Sequence, residues 1–146
     1  LTISNCGRVH ITKVTAPAGE TGNFAYTLER LSGADIDFTP RTSASGTLVN
    51  DGGSAQLAVL PGTDYRLSEN LTGEPTFALE SIVCDRPSPG TDGSAGFSVD
   101  LSEDTHCEIH NRLRTGTITV KSKDALDLSG CVAVVLCRTA TWTRIK

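Results

Sequence analysis

The chain has 146 residues with a formal net charge of -4, 38% hydrophobic and 21% charged residues, 14 Gly, 6 Pro and 5 Cys, which amounts to about one domain of loop-rich protein. A net-negative chain offers no basic field for phosphates, which argues against nucleic acid and against an anionic lipid surface as partners. The longest apolar run, residues 132–136, is strand-sized and far short of the roughly 18 apolar residues of a spanning helix.

In chain order, short alternating runs rich in Thr, Val, Gly and Ser recur between turn clusters, and no window sustains the three-and-four spacing of a helix. The pattern predicts an all-β fold with strands near residues 8–14, 23–31, 46–49, 54–60, 64–69, 76–85, 96–101, 106–113 and 117–121. Their spacing fits an immunoglobulin-like sandwich. Between them lie Ala16-Pro17-Ala18-Gly19, Asn50-Asp51-Gly52-Gly53, Pro61-Gly62 and a long Pro/Gly/Ser loop at 86–93, all with turn chemistry. The Asn50 to Gly53 cluster, flanked by two alternating runs, predicts a hairpin.

Ile3 to Lys13 is echoed by Ile109 to Lys121: each is a strand ending in Asn, a short link, then a new strand. The echo predicts a tandem array, with residues 7–115 as a complete unit, 1–6 as the end of a preceding unit or linker, and 116–146 as the start of a following unit or an assembly tail. The chain opens at Leu1 with no initiator Met and no signal peptide, so it reads as a piece of something longer.

Alternate side chains of a strand share a face. Three polar residues fall in phase with apolar ones: Lys13 after Val9 and Ile11, Glu69 after Tyr65 and Leu67, and Asn111 after Cys107 and Ile109. At a strand end such a residue can reach solvent, as a lysine does by extending its ammonium into water. Lys13 is, however, the lysine of the 7–115 stretch, the others being Lys121, Lys123 and Lys146. Arg would serve as well for solvation or pairing, whereas Lys can lose its proton on burial and become an amine nucleophile.

The chain from about Gly7 to Leu113 resembles the prealbumin-like, Cna protein B-type domains of Gram-positive pilins and surface adhesins, also called SpaA-type. The resemblance is carried by Val9-His10-Ile11-Thr12-Lys13, Phe24-Ala25-Tyr26-Thr27-Leu28, Leu60-Pro61-Gly62-Thr63-Asp64-Tyr65-Arg66-Leu67-Ser68-Glu69 and Cys107-Glu108-Ile109-His110-Asn111. It implies an isopeptide bond between Lys13 and Asn111, with Glu69 as the assisting acid. The closing strand has Ile109 and His110 where the family often has Thr and Phe.

The implied chemistry is physically coherent. Burial among Phe24, Tyr26 and Phe77 disfavours both charges, so a proton can pass from ammonium to carboxylate. The neutral amine then attacks, while the protonated acid donates to the Asn111 carbonyl and ammonia leaves. Alignment by the fold supplies effective molarities of about 10⁵ to 10⁸ M. Such a self-modification turns over once, and no motif for an enzyme acting on an external substrate or for a cofactor is present.

Five Cys in no zinc-like spacing suggest an oxidising compartment. Cys84 ends one predicted strand and Cys107 begins the last, so a bridge between them closes a loop of about 20 residues, worth about 3 kcal/mol in the chain-entropy model. A Ser-Ile-x-Cys-Asp strand followed by a closing-strand Cys also resembles disulfide-bearing relatives; the alternative is two separate buried thiols. Cys131 and Cys137 are too far apart for a bridge in one strand unless the chain turns between them, and Cys6 could pair with either or with a neighbouring unit. His10, His106 and His110 fall on the phase opposite the apolar residues, which predicts exposed rings and no metal site. Asn70-Leu71-Thr72 is a glycosylation sequon that matters only in a eukaryotic secretory pathway.

The resemblance implies an extracellular, cell-surface or wall-associated stalk that takes neighbouring repeats or other subunits as partners. Two alternatives stand beside it: an adhesion module binding a host protein or glycan through the 86–95 loop, and a filament subunit whose 117–121 strand completes a neighbour's sheet.

Overall fold

The computed structural model describes residues 5–88, 94–115, 117–122, 125–133 and 136–143. Among the described residues there is no helix, and the strands are β1 (Gly7–Ala16), β2 (Asn23–Arg30), β3 (Ser43–Val49), β4 (Ser54–Val59), β5 (Gly62–Asn70), β6 (Phe77–Cys84), β7 (Pro87–Ser88), β8 (Ala95–Val99), β9 (Asp104–Leu113), β10 (Thr117–Ser122), β11 (Ala125–Ala133) and β12 (Leu136–Thr143).

Nine of these strands make two sheets. One has the order β4-β1-β9-β6 and the other β3-β2-β5-β8-β7, while β10-β11-β12 form a separate antiparallel meander. Alternation explains the layering. Along β1 the residues Val9, Ile11, Lys13 and Thr15 are buried, whereas Arg8 is exposed and His10, Thr12 and Val14 are half-buried. Val9, Ile11 and Ile109 from the first sheet meet Phe24, Leu28, Tyr65, Leu67 and Phe97 from the second, all at 0% exposure. Each such side chain is worth about 1.5–3 kcal/mol of burial, which is why the inward phase fixes the register.

The first and last strands of the sandwich lie side by side. β1 and β9 run parallel, with Arg8 opposite Asp104 and Ala16 opposite Arg112; the other ladders are antiparallel. Where β1 enters, a Cβ on Gly7 would lie 2.4 Å from Val99 Cγ1 and 2.5 Å from the Asp100 carbonyl oxygen, so only glycine lets the strands approach this closely.

The hairpin predicted at Asn50 to Gly53 is not there. The turn exists, with Asn50 and Gly52 at φ 63° and 79°, yet β3 pairs with β2 and β4 pairs with β1, in different sheets. The turn is gripped from outside: Asn50 N–H donates to Gly22 O, Asp51 N–H to Glu20 O, and Gly52 N–H to Lys13 O, while Lys13 N–H donates to Gly53 O. Asp51 also accepts from the Thr15 and Gly19 amides at 2.7 and 2.8 Å. These bonds carry the chain from one sheet to the other. A further departure is the 31–42 segment, which sends Ile36 into the core at 0% exposure although no strand pattern marks it.

Candidate crosslink site

Lys13 lies on β1, Glu69 on β5 and Asn111 on β9. The parallel ladder sets Lys13 opposite Ile109 and Asn111 opposite Thr15, which puts Lys13 and Asn111 on one face, a diagonal step apart. Glu69 pairs with Tyr26 in the facing sheet and approaches from across the core. The strand-end alternative does not hold for Lys13: the Lys13 and Glu69 side chains are both 0% exposed, and Asn111 is 1% exposed.

One carboxylate oxygen joins the three residues. Lys13 Nζ donates to Glu69 Oε1, and Asn111 Nδ2 donates to the same oxygen at 3.1 Å. Glu69 Oε2 and Asn111 Oδ1 are buried without a hydrogen-bond partner. The Phe24 ring centroid lies 4.2 Å from Lys13 Nζ, and Phe77 packs edge-on against Phe24 at 5.0 Å. Burial pushes the Lys13 ammonium below the usual lysine range, opposed by its hydrogen bond and charge attraction to Glu69. Burial likewise pushes the Tyr26 phenol up.

The sequence reading had the acid donating to the Asn111 carbonyl, whereas here the acid holds the amide nitrogen. An ionised carboxylate only accepts, so it takes the N–H end of the amide. Once a proton moves from Lys13 to Glu69, the carboxyl becomes a donor and the free Oδ1 is its natural acceptor after half a turn of the amide. Sequence reasoning missed the support around Lys13: its backbone is held on both sides by the 50–53 turn, and nothing in the turn's composition announces that contact.

Cys84 and Cys107 face each other across the β6–β9 ladder and are joined by a disulfide. Cys6 is a free cysteine, half-buried. His10 and His106 stack on the outer face at 4.6 Å, and His110 contacts Glu108 at 2.9 Å; no group of three or more His, Cys, Asp or Glu among the described residues could hold a metal ion. The candidate ligand loop at 86–95 lies partly outside the described residues, as do residues 1–4, which include the start of the echo at Ile3, and the side chains of the 116–146 segment. No helix among the described residues is long and apolar enough to cross a membrane.

A family model for a prealbumin-like fold domain of the SpaA type matches residues 9–129. Among solved structures, a bacterial adhesin from Mobiluncus mulieris containing intramolecular disulfide, isopeptide and ester bond cross-links is similar in fold, with a TM-score of 0.51 and 12% identity over 73% of this chain and 41% of that chain. The full-length major pilin SpaD from Corynebacterium diphtheriae gives a TM-score of 0.41 and 14% identity over 88% of this chain and 38% of that chain. The chain thus spans about two fifths of the length of each. No curated protein matches it.

Proposed function

The chain belongs to the prealbumin-like fold domain family of the SpaA type, and on that premise we propose that it is an extracellular stalk domain of a surface adhesin or pilus-like appendage, tied by a self-formed bond between Lys13 and Asn111. Residues 7–115 form its complete unit, with neighbouring repeats or subunits as partners at the cell surface. The observation that carries this reading is the convergence of Lys13, Glu69 and Asn111 on one buried carboxylate oxygen.

Each group has a step to perform. Glu69 takes a proton from the Lys13 ammonium, whose charged form burial already disfavours. Lys13 Nζ attacks Asn111 Cγ, the Nζ–Cγ bond forms, and the acid stabilises the oxyanion through Oδ1. The Cγ–Nδ2 bond then breaks and Nδ2 departs as ammonium, ammonia carrying one further proton, both added protons having come from the former Lys13 ammonium through Glu69. Glu69 ends as it began, and the product is an amide across the parallel β1–β9 seam. Phe24 and Phe77 keep water from the amine.

Tension applied where β1 begins and β9 ends would pass through this amide and leave the strands between out of the load path, which is what a stalk requires. The test is the intact mass of the reduced protein, followed by peptide mapping. A loss of about 17 Da localised to a Lys13–Asn111 linked peptide, and absent in Glu69→Ala, is expected for ammonia release. A mass equal to the sequence in the folded parent protein overturns the proposal.

A further inference from the structure

Three of the five Cys stand outside the Cys84–Cys107 bridge: Cys6, Cys131 and Cys137. In one continuous strand, residues six apart are separated by about 20 Å, well beyond disulfide reach. The chain turns between Cys131 and Cys137. β11 ends at Ala133, β12 begins at Leu136, and the antiparallel ladder between them pairs Cys131 with Cys137, just before its register shifts. Directly opposed residues of such a ladder share a face, with Cα atoms about 4.5–5.5 Å apart. That separation falls inside the range of about 4.4–6.8 Å that disulfides span.

Cys6 is poorly placed to compete. It precedes Gly7, at the end of the parallel β1–β9 pair where β9 begins, whereas the chain leaves β9 for β10 at the other end, about 30 Å away along the strands. The Cys84–Cys107 bridge marks the chain as one that meets a disulfide-forming environment.

We propose that Cys131 and Cys137 form a second disulfide that closes the β11–β12 hairpin. The two thiols lose two protons and two electrons as the S–S bond forms, and an oxidised protein disulfide of the thiol–disulfide exchange class takes them up and becomes a dithiol. β12 is an edge strand held by one ladder, in the order β10-β11-β12. The bridge gives it a second attachment, independent of the Lys13–Asn111 bond. The β10–β12 meander then keeps its outer strand even when backbone hydrogen bonds open.

Both residues fall in one tryptic peptide, 124–138. The full chain, isolated without reductant and treated with iodoacetamide before digestion, should give this peptide unlabelled and about 2 Da below its dithiol mass, and reduction should then admit two labels. Two labels before reduction, or a link between this peptide and the 1–8 peptide that carries Cys6, overturns the proposal. In Cys137→Ser, Cys131 should label without reduction while Cys84 and Cys107 stay protected. A Cys6–Cys131 link in that variant contradicts the separation argued above.

Discussion

Replacing Lys13 by Met keeps an unbranched side chain one atom shorter and removes its charge. Glu69, whose side chain is 0% exposed, then keeps only the Asn111 Nδ2 contact at 3.1 Å. A buried charge stripped of its partner costs about 3–5 kcal/mol. The variant also cannot form the proposed Lys13–Asn111 amide, and a tie between residues about 100 positions apart is worth about 4.7 kcal/mol in the chain-entropy model. The amide has no ammonium, so the two losses belong to different forms of the parent and do not add, but either is a large share of the stability of a typical domain. The double variant Lys13→Met/Glu69→Gln loses the amide as well, but leaves no unpaired charge, and the glutamine amide can still accept from Asn111 Nδ2. It should therefore be more stable than the single variant by about 3–5 kcal/mol, or by about 15 °C in Tm. Urea unfolding of both at pH 7, followed by tryptophan-independent circular dichroism, reads the difference. A double variant within about 1 kcal/mol of Lys13→Met, or below it, refutes the premise that the carboxylate is desolvated and held by the ammonium.

Two further outcomes are expected. Cys84→Ala/Cys107→Ala opens a loop with a sequence separation of 23 and should lower stability by about 3 kcal/mol; a thermal melt unchanged within a few degrees would show that the ladder alone holds β6 to β9. Asp64 accepts from Arg30 Nε and Nη2 at 3.0 and 2.6 Å and from the Ser32 amide at 3.0 Å, and the Arg30 guanidinium, followed by Ser32, holds its carboxyl well below the usual carboxylate range. A carboxyl lowered in the folded state contributes stability that is present above about pH 4 and lost as the pH falls below it. Asp64→Asn should thus cost about 1–2 kcal/mol at pH 7, and its gap from the parent should close toward pH 2; a gap that stays constant across that range contradicts the assignment.

The period-two phase of the sequence made the inward faces legible, including the positions of Lys13, Glu69 and Asn111, because a strand with one buried side leaves its residues no choice of face. Which sheet a strand joins is another matter. Asn50 to Gly53 has good hairpin chemistry, but the backbone bonds to Lys13, Glu20 and Gly22 that divert β4 come from distant chain. Ile36 was equally invisible, since a single apolar residue in a loop carries no period. The β11–β12 ladder also escaped notice: its short turn and Thr-rich second strand follow no part of the pattern that runs from residue 7 to 115.

The position of β9 between β1 and β6 also dictates the order in which the sandwich can be assembled. A chain that emerges amino end first presents β1 with only β4 beside it, and leaves β6 without its ladder, until β9 follows about 90 residues later. During that interval the four-stranded sheet has a slot in its middle with unpaired N–H and C=O groups on both sides, a template for any extended segment nearby. Closure of the sheet thus waits on β9, and the slot is sealed only when nearly the whole stretch from β1 to β9 is available.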